Sequence, residues 1–249
     1  MMDNSSTIRK AMKPHATFGV IGAMESEVAQ LRAALSGAET QEYAGVTFYC
    51  GTLGAHRVAL VRCGVGKVNA ARCAQILIDR FSPDYIVNTG IAGGIGAGLC
   101  VADVVIGTEL VQHDFDVRTF GYARGNICDP AHREDPTVFY SNPALIDAFR
   151  AAAETVIDPA RVKTGRIATG DQFIGSPEAK RDIADTFGAV AAEMEGGAIA
   201  QVASLAGVPF IVLRAISDLA DGTFAPSFDE FERETADLSA SILRKLIEG

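Results

Sequence analysis

A three-layer α/β/α sandwich with a central mixed sheet is the fold class this sequence predicts. Short apolar runs alternate with stretches of helical periodicity, and glycine turns join them. No linker, composition break or internal repeat occurs after residue 17, so residues 18–249 read as one domain. The first 17 residues, MMDNSSTIRKAMKPHAT, carry positive charge but no apolar core, so they are no secretory signal and read as a disordered leader.

The elements can be taken in chain order. FGVIGAM, Phe18 to Met24, is a buried strand, and Val28, Leu31 and Leu35 continue it as one face of a helix. RVALVRCGVGKVNAARCAQILIDRF repeats the scheme, with a strand to Arg62, a turn at Gly64 and Gly66, and a helix to Phe81. DYIVNTGIAGGI is a third buried strand that ends in glycines, and DVVIGTELVQHD reads as two strand-like runs. Asn142 followed by Pro143 starts the helix NPALIDAFRAAAETV. VKTGRIATGDQFI is strand-like, EGGAIAQVASLAG is a helix stopping at Gly207, and VPFIVLRAISD is a core strand. Ser227 and Glu230 form a capping box ahead of a terminal helix whose apolar face is Phe228, Phe231, Leu238, Ile242 and Leu246.

Composition excludes several function classes. A net charge of -9 argues against nucleic acid, whose phosphates demand a basic surface. Five cysteines, an odd number without a CxxC pair, read as reduced thiols of a cytosolic protein. Four scattered histidines complete no zinc set, so no metal is expected. No apolar run reaches the roughly 18 residues of a membrane span. GVIGAM, GVGKVNA and GIGAGL match neither GxGxxG nor GxxxxGK[ST], so no dinucleotide cofactor or P-loop is expected.

In an open α/β sheet, ligands bind outside the carboxyl ends of the central strands. That directs attention to Glu25 and Glu27, TGIAGG, GDQFI and RAISDLAD. Four carboxylates fall there: Glu27, Glu193, Glu195 and Asp218. Each has an ordinary explanation: a helix cap for Glu193 and Glu195, a solvated first turn for Glu27, a strand-end turn for Asp218. Gathered in one pocket, they suit a neutral polyhydroxylated ligand and a cationic transition state, such as a ribosyl oxocarbenium ion.

IGAMESEV, GVGKVNAA, NTGIAGG, HDFDVRTFGY, TGDQFI, AEMEGGAIA, RAISDLAD and SFDEF occur in that order across residues 18–249. Together they resemble the 5'-methylthioadenosine/S-adenosylhomocysteine nucleosidases of the purine nucleoside phosphorylase superfamily. The resemblance implies a cofactor-free homodimer that hydrolyses the adenine–ribose bond in methionine salvage and methyl-cycle recycling. It casts Glu27 as the base that activates water and Asp218, beside Ser217, as the acid that protonates adenine N7. Arg214 would orient the water and a glutamate rather than serve Asp218. Glu195 would hold the ribose 2'- and 3'-hydroxyls, with Met194 packed on the sugar and Glu193 in support, capping or pairing with Arg214.

Phe173 would stack on adenine and Ile174 would read the purine edge, with Ala92 and Gly93 as further purine contacts. Met24, Val65 and Phe228 would wall the ribose and the 5'-thio group, and Phe120 would reach into the partner's pocket. Two departures matter. Ile91 stands where phosphorylase relatives use a phosphate-binding serine, which favours water over phosphate as nucleophile, although Lys67 is a possible phosphate ligand. GNICDPAHREDP differs from the family loop near the 5' pocket. The competing readings are a 6-amino-6-deoxyfutalosine hydrolase, a phosphate-dependent phosphorylase and a non-catalytic nucleoside sensor.

Overall fold

The computed structural model describes Ile8, residues 12–220 and residues 228–248, the side chains of 228–232 excepted. The chain runs β1 (Thr17–Gly22), α1 (Glu25–Ala34), β2 (Ser36–Tyr43), β3 (Val46–Leu53), β4 (His56–Arg62), α2 (Lys67–Phe81) and β5 (Tyr85–Gly94). It continues through β6 (Val104–Gln112), β7 (Phe139–Tyr140), α3 (Pro143–Ala153), β8 (Val162–Thr169), α4 (Pro177–Phe187) and β9 (Ala189–Glu193). It closes with α5 (Gly196–Leu205), β10 (Phe210–Asp218) and α6 (Phe228–Glu248).

The expected fold class holds: a mixed sheet lies between two helical layers. Strand alternation divides the core. On β10, Ile211, Leu213 and Ala215 face a cluster built with α1, α3 and α6. Their neighbours Phe210, Val212 and Ile216 face the opposite cluster, built with α2 and α5. The helices stop and start where local chemistry allows. Asn142 Oδ1 accepts from the Leu145 amide at 3.2 Å, with Pro143 in the first turn of α3. Gly64 and Gly66 adopt φ of 86° and 98°, which lets the chain reverse between β4 and α2.

The sheet order is β10-β6-β8-β9-β5-β1-β4-β3-β2, and β10 also pairs with β5. Five strands therefore close a ring, β5-β10-β6-β8-β9, with β1, β4, β3 and β2 extending from it. The closure depends on one split edge. Residues 85–88 of β5 pair in parallel with β1, whereas Gly93 and Gly94 on that edge pair antiparallel with β9. Between these pairings the edge around Gly90 and Ile91 has no neighbouring strand among the described residues, and the candidate site lies there.

Five elements escape the sequence reading, the two-residue β7 among them. β2 and β3 form a hairpin with an exposed, polar outer strand, SGAETQEY, which lacks an apolar alternation. α4 carries only two buried residues, Ile183 and Phe187, and β9 (AVAAE) has an alanine-rich sequence that looks helical. DVVIGTELVQHD forms one strand rather than two, with a register shift against β8 between Gly107 and Glu109. Within the expected leader, Ile8, Met12 and Ala16 are buried in the main core, and Lys13 Nζ reaches Asp84 Oδ1 at 2.8 Å. The capping box at Ser227 and Glu230, and the side chains of Phe228 and Phe231, lie outside the described residues.

At the open edge of β5, a Cβ on residue 90 would stand 2.8 Å from Glu27 Cδ and nearer still to its Oε1. Gly90→Ala is expected to cost about 1–3 kcal/mol by overpacking and to displace this carboxylate. Chemical denaturation and turnover measured together check it; an unchanged midpoint would show that the edge yields freely.

Candidate active site

Glu27, in the first turn of α1, fills the gap in the β5 edge. Its Oε2 accepts from the amides of Ala23 at 2.6 Å and Met24 at 2.9 Å, and its Oε1 accepts from Ile91 N at 3.1 Å. A carboxylate thus replaces the missing strand as hydrogen-bond partner. The side chain is only 5% exposed. Burial raises its proton affinity above the usual carboxylate range, against the pull of the Arg214 charge and the three amides.

Arg214, on β10, is 1% exposed. Its Nη2 donates to Asn88 Oδ1 at 2.5 Å and to Glu193 Oε2, and lies 3.8 Å from Glu195 Oε2. Glu193 ends β9 and caps the turn into α5: its Oε2 accepts from the amides of Glu195 at 3.0 Å and Gly196 at 2.7 Å. Its Oε1 accepts from the Thr169 hydroxyl, whose oxygen accepts the Gly197 amide. Glu195 is held more lightly, by Gly66 N at 2.9 Å. Burial, and then repulsion by Glu193, push its carboxyl up to about 7, with Arg214 pulling the other way.

At the end of β10, Asp218 Oδ1 accepts from Ala220 N at 2.8 Å. Ser217 Oγ lies 2.9 Å from Asp218 Oδ2 and 3.4 Å from Ala92 O. The hydroxyl can therefore donate to the carboxylate, or donate to the carbonyl and accept a proton held on Asp218.

These groups open on a cavity of about 260 Å³ at the strand ends. Met24 and Val65 lie on its wall, as do Ala92 and Gly93 from β5, Phe173 and Ile174 after β8, and Met194. Glu27, Glu195, Ser217 and Asp218 contribute polar surface. Arg214 is not on the wall but beneath it, and Phe120 stands apart, 74% exposed on a single 3₁₀ turn. The Phe228 side chain lies outside the described residues. Ala23, Ile91, Gln172, Ala192 and Glu193 also line the cavity. All five stand in the motifs already singled out, but apolar and alanine positions carry no chemical signal of their own.

A second network holds the walls. Lys67 Nζ donates to Asp114 Oδ1 at 2.6 Å and to Gln112 Oε1 at 3.2 Å. Lys67 N donates to Asp171 Oδ1, and Asp171 N to Asp114 Oδ2, both at 2.8 Å. Lys67 thus ties the loop carrying Val65 to the loop carrying Phe173 and Ile174; it does not line the cavity. Among the described residues no Lys or Arg lines the cavity, and none of the His, Cys, Asp and Glu side chains cluster to hold a metal ion.

Fold and site define a nucleoside-cleaving α/β enzyme. Residues 17–248 match the family model of the phosphorylase superfamily. The 5'-methylthioadenosine/S-adenosylhomocysteine nucleosidase of Tolumonas auensis is 43% identical over 227 residues, covering 90% of this chain and 96% of the relative. The nucleosidase of that name from Neisseria meningitidis, crystallised with methylthio-immucillin-A, shares 41% identity and a TM-score of 0.87, over 94% of this chain and 99% of its own. The futalosine hydrolase of Helicobacter pylori shares 30% identity and a TM-score of 0.83, over 94% of this chain and 98% of its own. The chain belongs to the 5'-methylthioadenosine/S-adenosylhomocysteine nucleosidase family of the phosphorylase superfamily.

The two glutamates should respond differently to substitution. Glu193→Ala leaves Arg214 buried without its direct partner and is expected to cost about 3–5 kcal/mol of stability. Glu195 has a folded pKa of about 7 against an ordinary 4.5, so the fold favours its protonated form. The folded state then binds more protons between those values, and stability falls as pH rises through that window. Glu195→Gln should therefore raise the melting temperature above about pH 7, with the gain vanishing near about pH 4. Melting curves across that range check both; a gain that grows at acid pH would reverse the sign.

Proposed function

We propose that the protein hydrolyses 5'-methylthioadenosine and S-adenosylhomocysteine to adenine and a 5-thioribose sugar. One observation carries this reading: the described lining of the cavity holds carboxylates, neutral polar groups and apolar groups but no cation. A phosphate nucleophile would meet unanswered negative charge there, whereas water and a cationic ribosyl transition state would not.

The placement of the groups supports the following steps. Glu27, with its raised proton affinity, accepts a proton from water as the water oxygen attacks the anomeric carbon. The C1'–N9 bond breaks and its electrons move into the adenine ring. Asp218 delivers a proton to N7, so adenine leaves neutral. Ser217 then turns its hydrogen between Asp218 and Ala92 O as the carboxyl changes state. Glu195 accepts from the ribose 2'- and 3'-hydroxyls, and its charge favours the oxocarbenium ion. Met194 packs on the sugar, Phe173 on the purine face, and Ile174, Ala92 and Gly93 on the purine edge.

The same reading extends to assembly and setting. Phe120 is a large apolar side chain left exposed, which suits donation across a homodimer into the partner's pocket. The cysteines are free thiols, suited to the reducing cytoplasm in which methionine salvage and methyl-cycle recycling would use these products. Sedimentation of a monomer at assay concentrations would remove the dimer.

Adenine release from both nucleosides, and from 6-amino-6-deoxyfutalosine, with and without phosphate, tests the function. Release should proceed without phosphate; strict dependence on it would make the protein a phosphorylase. Asp218→Asn should lower kcat by about 10²–10⁴-fold, the usual contribution of a general acid, with an unchanged melting curve. Undiminished turnover would remove Asp218 from the mechanism.

A further inference from the structure

The turn that follows Asp218 is held from outside the catalytic cavity. β10 pairs with β5 as far as Asp218 and Gly93, with a register shift between Ile216 and Asp218. The chain then turns through Leu219 and Ala220. Ala220 adopts φ of 52°, a left-handed conformation that L side chains rarely take. Asp218 lines the catalytic cavity, whereas Leu219 lines a separate cavity of about 560 Å³ between α4 and residues 95–99. The turn therefore separates two open spaces, and its hydrogen bonds carry much of its position.

One peptide unit makes two of those bonds. Its carbonyl, Leu219 O, accepts from Lys180 Nζ of α4 at 2.6 Å. Its amide, Ala220 N, donates to Asp218 Oδ1 at 2.8 Å. The bonds run in series, from ammonium through the peptide plane to carboxylate. A peptide unit is planar and stiff, so holding its carbonyl also sets the direction of its N–H. The positive charge on the carbonyl polarises that N–H and strengthens its bond to the carboxylate. Lys180 lines only the outer cavity, and Arg181 beside it pairs with Glu178 at 3.5 Å instead.

We propose that Lys180 is a positioning residue for the general acid: it holds the peptide unit that aims the Asp218 carboxyl at adenine N7. This assignment rests on the nucleosidase reading, in which Asp218 is that acid, and adds to it a residue of α4 that touches no substrate. Without the hold, the Leu219–Ala220 peptide can tip, because Ala220 gains by relaxing to an ordinary φ. The carboxyl then loses its fixed direction while the sugar and purine contacts stay in place.

Lys180→Met keeps the apolar stem and removes the donor. It should lower kcat for adenine release about ten-fold, within the roughly 10²-fold that a 1 Å misplacement can cost, with KM unchanged. Lys180→Arg, which can still donate to the carbonyl, should recover most of the loss. Arg181→Met, which removes the neighbouring charge but not the bond, should leave kcat unchanged. The double variant separates positioning from a purely structural role. In an Asp218→Asn background, where this side chain delivers no proton, Lys180→Met should bring no further loss. The same fractional loss in both backgrounds overturns the positioning role, and so does an unchanged kcat in Lys180→Met; either result leaves the nucleosidase reading standing. Full turnover by Asp218→Asn alone overturns the acid's place in that reading and the role of Lys180 with it.

Discussion

The buried guanidinium of Arg214 is the interaction on which the rest of this structure depends. At 1% exposure it has no water to solvate it, and an unpaired cation there would cost several kcal/mol. Three carboxylates answer it at graded range: Glu193 directly, Glu195 at 3.8 Å, and Glu27 through its field alone. One positive charge cannot neutralise three negative ones. Burial raises the proton affinity of Glu27 and of Glu195 against the pull of that one charge, and repulsion by Glu193 adds to it at Glu195. A structural ion pair and a site able to take up protons are thus two consequences of one arrangement.

Geometry assigns the glutamates of AAEMEGGAIA to different tasks. Glu193 spends both oxygens within the protein, on Arg214, on the amides that open α5 and on Thr169. Glu195, two residues on, faces the cavity with a single backbone donor, Gly66. The strand β9 ends between them, so successive positions change from paired backbone to open loop. Met194 turns its side chain into the same cavity.

Much of this was legible in the residues. Apolar runs such as VPFIVLRAIS are long enough and bounded clearly enough to be strands, and cap chemistry at Asn142 marked a helix start. The acidic motifs at the strand ends proved to share one cavity. Elements that bury little were not legible. β2, the outer strand of its hairpin, presents polar residues to solvent, and α4 buries two side chains. β9 is alanine-rich, and alanine carries no strand preference; its pairing comes from the neighbours β5 and β8.

By itself the sequence determined the alternation of strands and helices, the places where carboxylates come after apolar runs, and the motifs of the family. Those are local properties: side-chain period, turn chemistry and residue order. The tertiary structure decided what the carboxylates do. The split edge of β5, left open between β1 and β9, makes room for Glu27 and supplies Ile91 N as its donor. Lys67 became a tie between two loops because Asp114 and Asp171 stand around it. Proton affinity depends on burial and on charges brought from distant parts of the chain. Only the folded arrangement sets those.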